Sequence, residues 1–270
     1  MGTGRRRAGP LRALLEIFRA LKARVQLAAP TGRAAKRMAD STGWEARTIH
    51  RLLEFSPRQG TFMRNERHPL DADAIVLDEA SMIDLPLFHQ FLKAVSPMAR
   101  LILVGDVNQI PSVGPGRLLG DIIDSRRIHV VALTEIFRQA RESMIVVNAH
   151  RILNGEMPGA AGPEGDFFII WKEDPEDILR TVLELCSRRL PQKYGFDPVD
   201  DIQVITPMHR GEIGTERLNR ELQKSLNPQG KEFRYGVHAF RVGDKVMQIR
   251  NNYDREVFNG DIGRVVSISS

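Results

Sequence analysis

The sequence predicts an α/β chain in which parallel strands alternate with helices, and three observations carry that expectation. The first is the run Ala74 to Leu77, apolar throughout, which ends abruptly in Asp78 and Glu79. The second is a matching run, Arg100-Leu-Ile-Leu-Val-Gly-Asp106, which also ends in a carboxylate. The third is the helix-length segment Leu85 to Ser96 between them, completing a βαβ unit. Strands buried on both faces of a parallel sheet read as continuous apolar runs, and ligands gather at their carboxyl ends.

Taken in order, the first half reads as follows. Leu11 to Ala20 is a helix, with Pro10 restricting where it begins. Arg24 to Ala29 is a strand broken by Pro30, and Thr31-Gly32-Arg33 opens the next helix. A helix start with a Thr hydroxyl and an Arg suits a phosphate, although Thr31 can equally cap only its own backbone. After Ala74 to Leu77, Asp78 is placed to hold Mg²⁺ through its water shell. Glu79 is placed to deprotonate a water attacking a γ-phosphate. The plain alternative is an acidic helix cap. Gln109 follows the second strand in a loop, where an amide can sense a γ-phosphate or serve simply as a loop residue. Ile128 to Ala132 is a further short strand.

The second half is chemically less explicit. Residues 158–165 form a Gly/Pro-rich loop. Asp166 to Trp171 and Asp201 to Thr206 are strand-like, and Asp174-Pro-Glu-Asp starts a helix with an acidic cap. Glu216 to Ser225 is an amphipathic helix. Phe233 to Gly243, Lys245 to Ile249 and the run from Gly263 are strand or loop elements.

The stretches DEASMID (Asp78 to Asp84), LVGDVNQIPSVGPG (Leu103 to Gly116) and LTEIFRQA (Leu133 to Ala140) resemble motifs II, III and IV of superfamily 1 DNA helicases, nearest to the RecD-like 5′-to-3′ branch. LAAPTGRAAKRM and RTIHRLLEF upstream are similar to its motifs Ia and Ic, and the stretches from Ile205 and Phe240 to its second motor domain. The resemblance implies tandem RecA-like P-loop NTPase domains with parallel sheets, the second incomplete, at residues 1–135 and 136–270. It further implies ATP with Mg²⁺ as cofactors, hydrolysis between the motor domains, and translocation along single-stranded DNA with unwinding of duplex junctions. Asp78 would be the metal residue and Glu79 the general base. Gln109 and Arg138 would read the γ-phosphate, Arg138 as a finger whose plain alternative is a surface ion pair with Glu135 or Glu142. Pro30, Thr31, Gly32, Arg33, Thr48 and His50 would touch DNA, as phosphate or stacking contacts of low sequence preference.

One part of the pattern departs. A P-loop needs a Gly-rich turn, a Lys on the phosphates and a Ser/Thr hydroxyl on Mg²⁺. Gly2-Thr3-Gly4 resembles the tail of that loop, but Arg5 and Arg6 stand where Lys and Thr belong. A planar guanidinium is a poor substitute for an ammonium, and Arg6 cannot ligate a metal. The expectation is therefore an internal piece of a larger helicase, inactive alone. The alternatives are a catalytically dead DNA-binding module, or a different P-loop enzyme such as a nuclease subunit. Against the last, no nuclease-type set of carboxylates is present beyond Asp78 and Glu79.

Composition is compatible with this reading. The chain carries a net charge of +5, yet residues 1–70 hold 15 Lys+Arg against 5 Asp+Glu, while the rest holds 24 against 29. A basic segment beside an acidic remainder fits a polyanion-binding face. The single cysteine, Cys186, lies in a helix-like apolar segment, has no disulfide partner in the chain and favours a reducing compartment. No apolar run reaches membrane-spanning length and no signal-peptide pattern is present, so the expected location is the cytoplasm. Other subunits of a helicase-nuclease complex are possible partners.

Overall fold

A computed structural model describes residues 4–133, 143–160, 162, 164–236, 238–252, 255, 257 and 259–269, with the side chains of residues 4–8 excepted. The chain divides into two compact units, one from residues 1–134 with 249–261, the other from 135–248 with 262–270. Residues 249–261 thus join the first unit rather than their sequence neighbours.

The first unit is built on four parallel strands in the order β2-β1-β5-β6: β1 Val25–Ala29, β2 Ala46–Thr48, β5 Ala74–Leu77 and β6 Arg100–Leu103. A two-stranded hairpin, β3 Phe55–Ser56 with β4 Thr61–Phe62, stands apart from this sheet. All four residues of β5 are buried, because helices cover both sheet faces. On one side Ile75 and Leu77 pack with Ile49 and Leu52 of α3 (Ile49–Leu52), Phe88 and Phe91 of α4 (Leu85–Ala94), and Leu118 and Leu119 of α5 (Leu118–Ser125). On the other, Val76 and Leu27 pack with Leu11 and Leu15 of α1 (Gly4–Ala20) and Met38 of α2 (Gly32–Thr42). This three-layer packing is what a βαβ pattern with fully apolar strands requires.

Several boundaries differ from expectation. Helix α1 starts at Gly4 and runs through Pro10 instead of beginning at Leu11. Pro10 forfeits one backbone bond, but Leu11, Leu15 and Phe18 bury the following turns against the sheet, and tertiary packing outweighs the local break. The expected strand from Ile128 to Ala132 does not form, and Val131 is 76% exposed. Apolar content alone does not make a strand; a ladder partner is needed, and β6 gains none on its outer edge among the described residues.

In the second unit the helices are α6 Met144–Leu153, α7 Pro175–Glu184, α8 Leu190–Tyr194 and α9 Thr215–Leu226. Asp174 caps α7 by accepting from the Asp177 N–H at 2.9 Å, as its sequence indicates. A π-helical turn, Leu185–Arg189, carries the buried Cys186, whose burial raises the thiol pKa. Two antiparallel pairs follow, β7 Glu232–Tyr235 with β8 His238–Arg241, and β9 Lys245–Met247 with β10 Ile262–Arg264. The strands expected over 166–171 and 201–206 carry no ladder pairing among the described residues. Their side chains alternate between exposed and half-buried instead of being enclosed on both faces. Asp244 ties this unit together, accepting from Asn227 Nδ2 at 2.8 Å and from the Arg241 N–H at 2.7 Å.

Candidate nucleotide and DNA site

The carboxyl ends of β1, β5 and β6 are stitched by backbone bonds. Asp78 N–H donates to Ala28 O at 2.9 Å, Val104 N–H to Leu77 O at 2.8 Å, and Ala80 N–H to Val104 O at 2.9 Å. Asp78 and Glu79 therefore emerge at one sheet edge beside Gly105 and Asp106. The carboxylate of Asp78 accepts from the Glu79 N–H at 2.8 Å. Glu79 is buried and left-handed, with φ 53° and ψ 40°. A non-glycine residue there costs about 1–3 kcal/mol, and such residues cluster at functional sites. Glu79 caps nothing with its side chain: the turn Ala80–Met82 has no side-chain cap bond, and Asp84 caps α4 by accepting from Leu87 N–H at 2.8 Å. Its carboxylate instead accepts from Arg37 Nη2 of α2 at 3.2 Å.

Close packing fixes the loop after β6. A Cβ on Gly105 would meet Leu119 Cδ2 at 2.7 Å and the Ala80 nitrogen at 3.1 Å, so no larger residue fits without displacement. Asp106 turns the chain by accepting from Asn108 N–H at 3.0 Å, which leaves Gln109 exposed in the same loop. Gln109 lies at the expected sheet edge and makes no side-chain hydrogen bond among the described residues. Arg138, Gly2 and Thr3 lie outside the described residues, and Gly4 is the first residue of α1.

The candidate DNA residues fall in two places. Thr31 caps α2, its hydroxyl accepting from Ala34 N–H at 3.2 Å, with Pro30 half-buried before it and Gly32 buried after it. Arg33 is exposed and donates from Nη1 to Gly260 O at 3.3 Å. Thr48 is buried and caps α3 by accepting from Arg51 N–H at 3.2 Å. His50 rests against Phe55 and Phe62, with ring centroids 5.7 Å away in each case. Desolvation lowers its pKa, opposed by the charge of Asp84. Both threonine hydroxyls are thus engaged in local capping.

Sequence reading missed two groups. Arg37 lies one turn beyond Arg33 on α2, a spacing that was available as a signal. Ser81 has a buried hydroxyl with no hydrogen-bond partner among the described residues, and nothing in the sequence marks it. An orphaned buried hydroxyl two residues from Glu79 is a place for a water or ligand oxygen. Among the described residues no three-ligand metal cluster forms. The all-oxygen set fits Mg²⁺ held through its water shell, which needs only one or two carboxylates beside substrate phosphates.

A model of the AAA domain matches residues 1–115, and one of the ATP-dependent RecD-like DNA helicase SH3 domain matches residues 218–270. The ATP-dependent RecD2 DNA helicase of Deinococcus radiodurans is 36% identical over 265 residues, covering 98% of this chain and 35% of that protein. The RecBCD enzyme subunit RecD of Mycolicibacterium smegmatis is 32% identical over 272 residues, covering 90% of this chain and 48% of its own length. The chain therefore spans between about a third and a half of these relatives. Among solved structures, Bacteroides Pif1 bound to ssDNA superposes with a TM-score of 0.51 at 17% identity, over 99% of this chain and 65% of the other, a likeness of fold. No helix among the described residues is long and apolar enough to cross a membrane. Identity of this order along nearly the entire chain, joined to the RecD-like SH3 match, places the protein in the RecD-like family of superfamily 1 helicases.

Proposed function

We propose that the chain carries the ATP-hydrolysing, DNA-translocating core of a cytoplasmic helicase that moves 5′ to 3′ on single-stranded DNA and opens duplex junctions. Residues 1–135 and 136–270 are assigned to its two motor domains. The observation that carries the reading is the Asp78–Glu79 pair at the carboxyl end of the fully buried β5, with Asp106 at the matching end of β6. In this reading Asp78 holds Mg²⁺ and Glu79 takes the proton of the attacking water. Gln109 and Arg138 sense the γ-phosphate, and Gly2, Thr3 and Gly4 belong to the phosphate loop. Pro30, Thr31, Arg33 and His50 face DNA, and the buried Gly32 and Thr48 serve the same site by setting the two helix starts. The RecD relatives named as RecBCD subunits support further helicase-nuclease subunits as partners.

A second reading is favoured by Arg5 and Arg6, which follow Gly4 where a phosphate loop has Lys and Thr. It is DNA binding without hydrolysis by this chain. Mg²⁺-ATP hydrolysis by the folded chain, with and without oligo-dT, separates the two, with Asp78→Ala as control. DNA-stimulated turnover abolished in D78A supports hydrolysis by this chain itself and overturns the expectation that it is inactive alone. Retained DNA binding without turnover supports the second. Turnover indifferent to D78A removes Asp78 from the site.

A further inference from the structure

We propose that Arg37 exchanges between Glu79 and a DNA backbone phosphate, so that single-stranded DNA draws the guanidinium off Glu79 and releases that carboxylate for water activation. The inference rests on the reading of Glu79 as the base and of α2 as a DNA-facing helix, and adds a positioning residue that couples them.

The ion pair is lopsided. The side chain of Glu79 is 11% exposed, that of Arg37 61%. Glu79 is fixed by its left-handed backbone and by the strand end behind it. The arginine, on a long side chain open to solvent, is the partner able to move. The guanidinium is the solvent-facing side of the pair, so a competing anion reaches it without entering the protein. A phosphate is a strong competitor, because it accepts paired N–H donors from a guanidinium. Arg33 stands one helical turn before Arg37, nearer the N-terminus of α2, so the two positions share one helix face. A strand passing the start of α2 meets Arg33 and then Arg37. While paired, the guanidinium sits on Oε1 of Glu79, the atom an attacking water would approach; once Arg37 turns to phosphate it no longer blocks that atom. Coupling of this kind is reciprocal: removing the charge of Glu79 must strengthen DNA binding through Arg37.

The test reads DNA affinity and does not need turnover. Fluorescently labelled oligo-dT is titrated with the full chain across a salt series, using the parent, R37A, E79Q and the double variant, each matched to the parent by circular dichroism. E79Q is expected to bind about fivefold tighter at low salt. Its log affinity should keep the parent's slope against log salt, since Arg37 contacts phosphate in both, whereas R37A should lose about 0.7 of that slope, one phosphate contact on a single strand. R37A should bind more weakly, and E79Q should change nothing in the R37A background. Should E79Q lose its fold, Glu79→Asp keeps the charge but withdraws it by one methylene, and a gain in affinity absent from R37A/E79D supports the same exchange. An equal gain with and without Arg37 would reflect the general field of a lost negative charge and overturn the proposal. So would no gain at all. Absence of oligo-dT binding by the parent in low salt overturns the DNA-facing reading itself, an outcome distinct from binding without coupling.

Discussion

Ser81 holds a buried hydroxyl without a partner among the described residues, at the end of the strand that presents Asp78 and Glu79. Leaving such a group unsatisfied costs about 1–3 kcal/mol. Ser81→Ala should therefore raise the urea midpoint of the isolated chain, by about 1 kcal/mol of stability after the loss of packing. Destabilisation by a similar amount would mean that a tightly held water satisfies the hydroxyl, and the orphan description would be wrong. At this scale the legible residues were those whose chemistry interrupts a pattern. Asp78 and Glu79 stand out because a fully apolar run stops at them. Arg37 did not, because its partner lies 42 positions away and only the fold brings α2 over the end of β5. The left-handed backbone of Glu79 was equally hidden, since nothing marks a glutamate for a conformation that glycine favours.

Elements were legible where burial on both faces left one solution. Ala74–Leu77 is bounded as its sequence indicates because every residue is enclosed. The runs at 128–132, 166–171 and 201–206 also carry strand-type apolar residues, interrupted by polar ones, yet a strand is defined by its neighbours, and the sequence does not name them. At the amino ends of β1 and β5 the structure adds a clamp. Arg24 donates from Nη2 to Asp73 at 2.9 Å, from its backbone N–H to Asp73 at 2.7 Å, and from Nη1 to Asp71. Hydrogen bonds from the Arg24 side chain, then from its backbone, hold the Asp73 pKa down to about 2, against an ordinary 3.8. A carboxyl with a depressed folded pKa contributes stability above its unfolded value and loses it as pH falls through the folded one. The contribution of Asp73 should thus be intact above pH 4 and disappear towards pH 2. Carboxyl-carbon NMR should find Asp73 titrating near 2. In Asp73→Asn the fall of the denaturation midpoint across that window should be shallower. A titration near 3.8 would show that the clamp does not form in solution.

Across the whole chain, the core is unevenly shared. Among the described residues, every buried apolar side chain except Leu179, Cys186 and Leu218 belongs to the first unit. Buried apolar area drives stability, and regions with few buried contacts open locally at low free energy. The charge imbalance visible in the sequence falls along the same division, with the basic residues 1–70 in the better packed unit. The two units should consequently differ in backbone opening, which hydrogen exchange followed by mass spectrometry measures. Strands β1 and β5 are each paired on both sides, and their amides from Leu27 to Ala29 and Ile75 to Leu77 should exchange most slowly. Residues 166–171 and 201–206 should exchange orders of magnitude faster, since no ladder bonds engage their amides among the described residues and Ile205 is 89% exposed. Protection at 201–206 equal to that of β5 would require a ladder absent from this structure, and would restore the strand that the sequence alone predicts there.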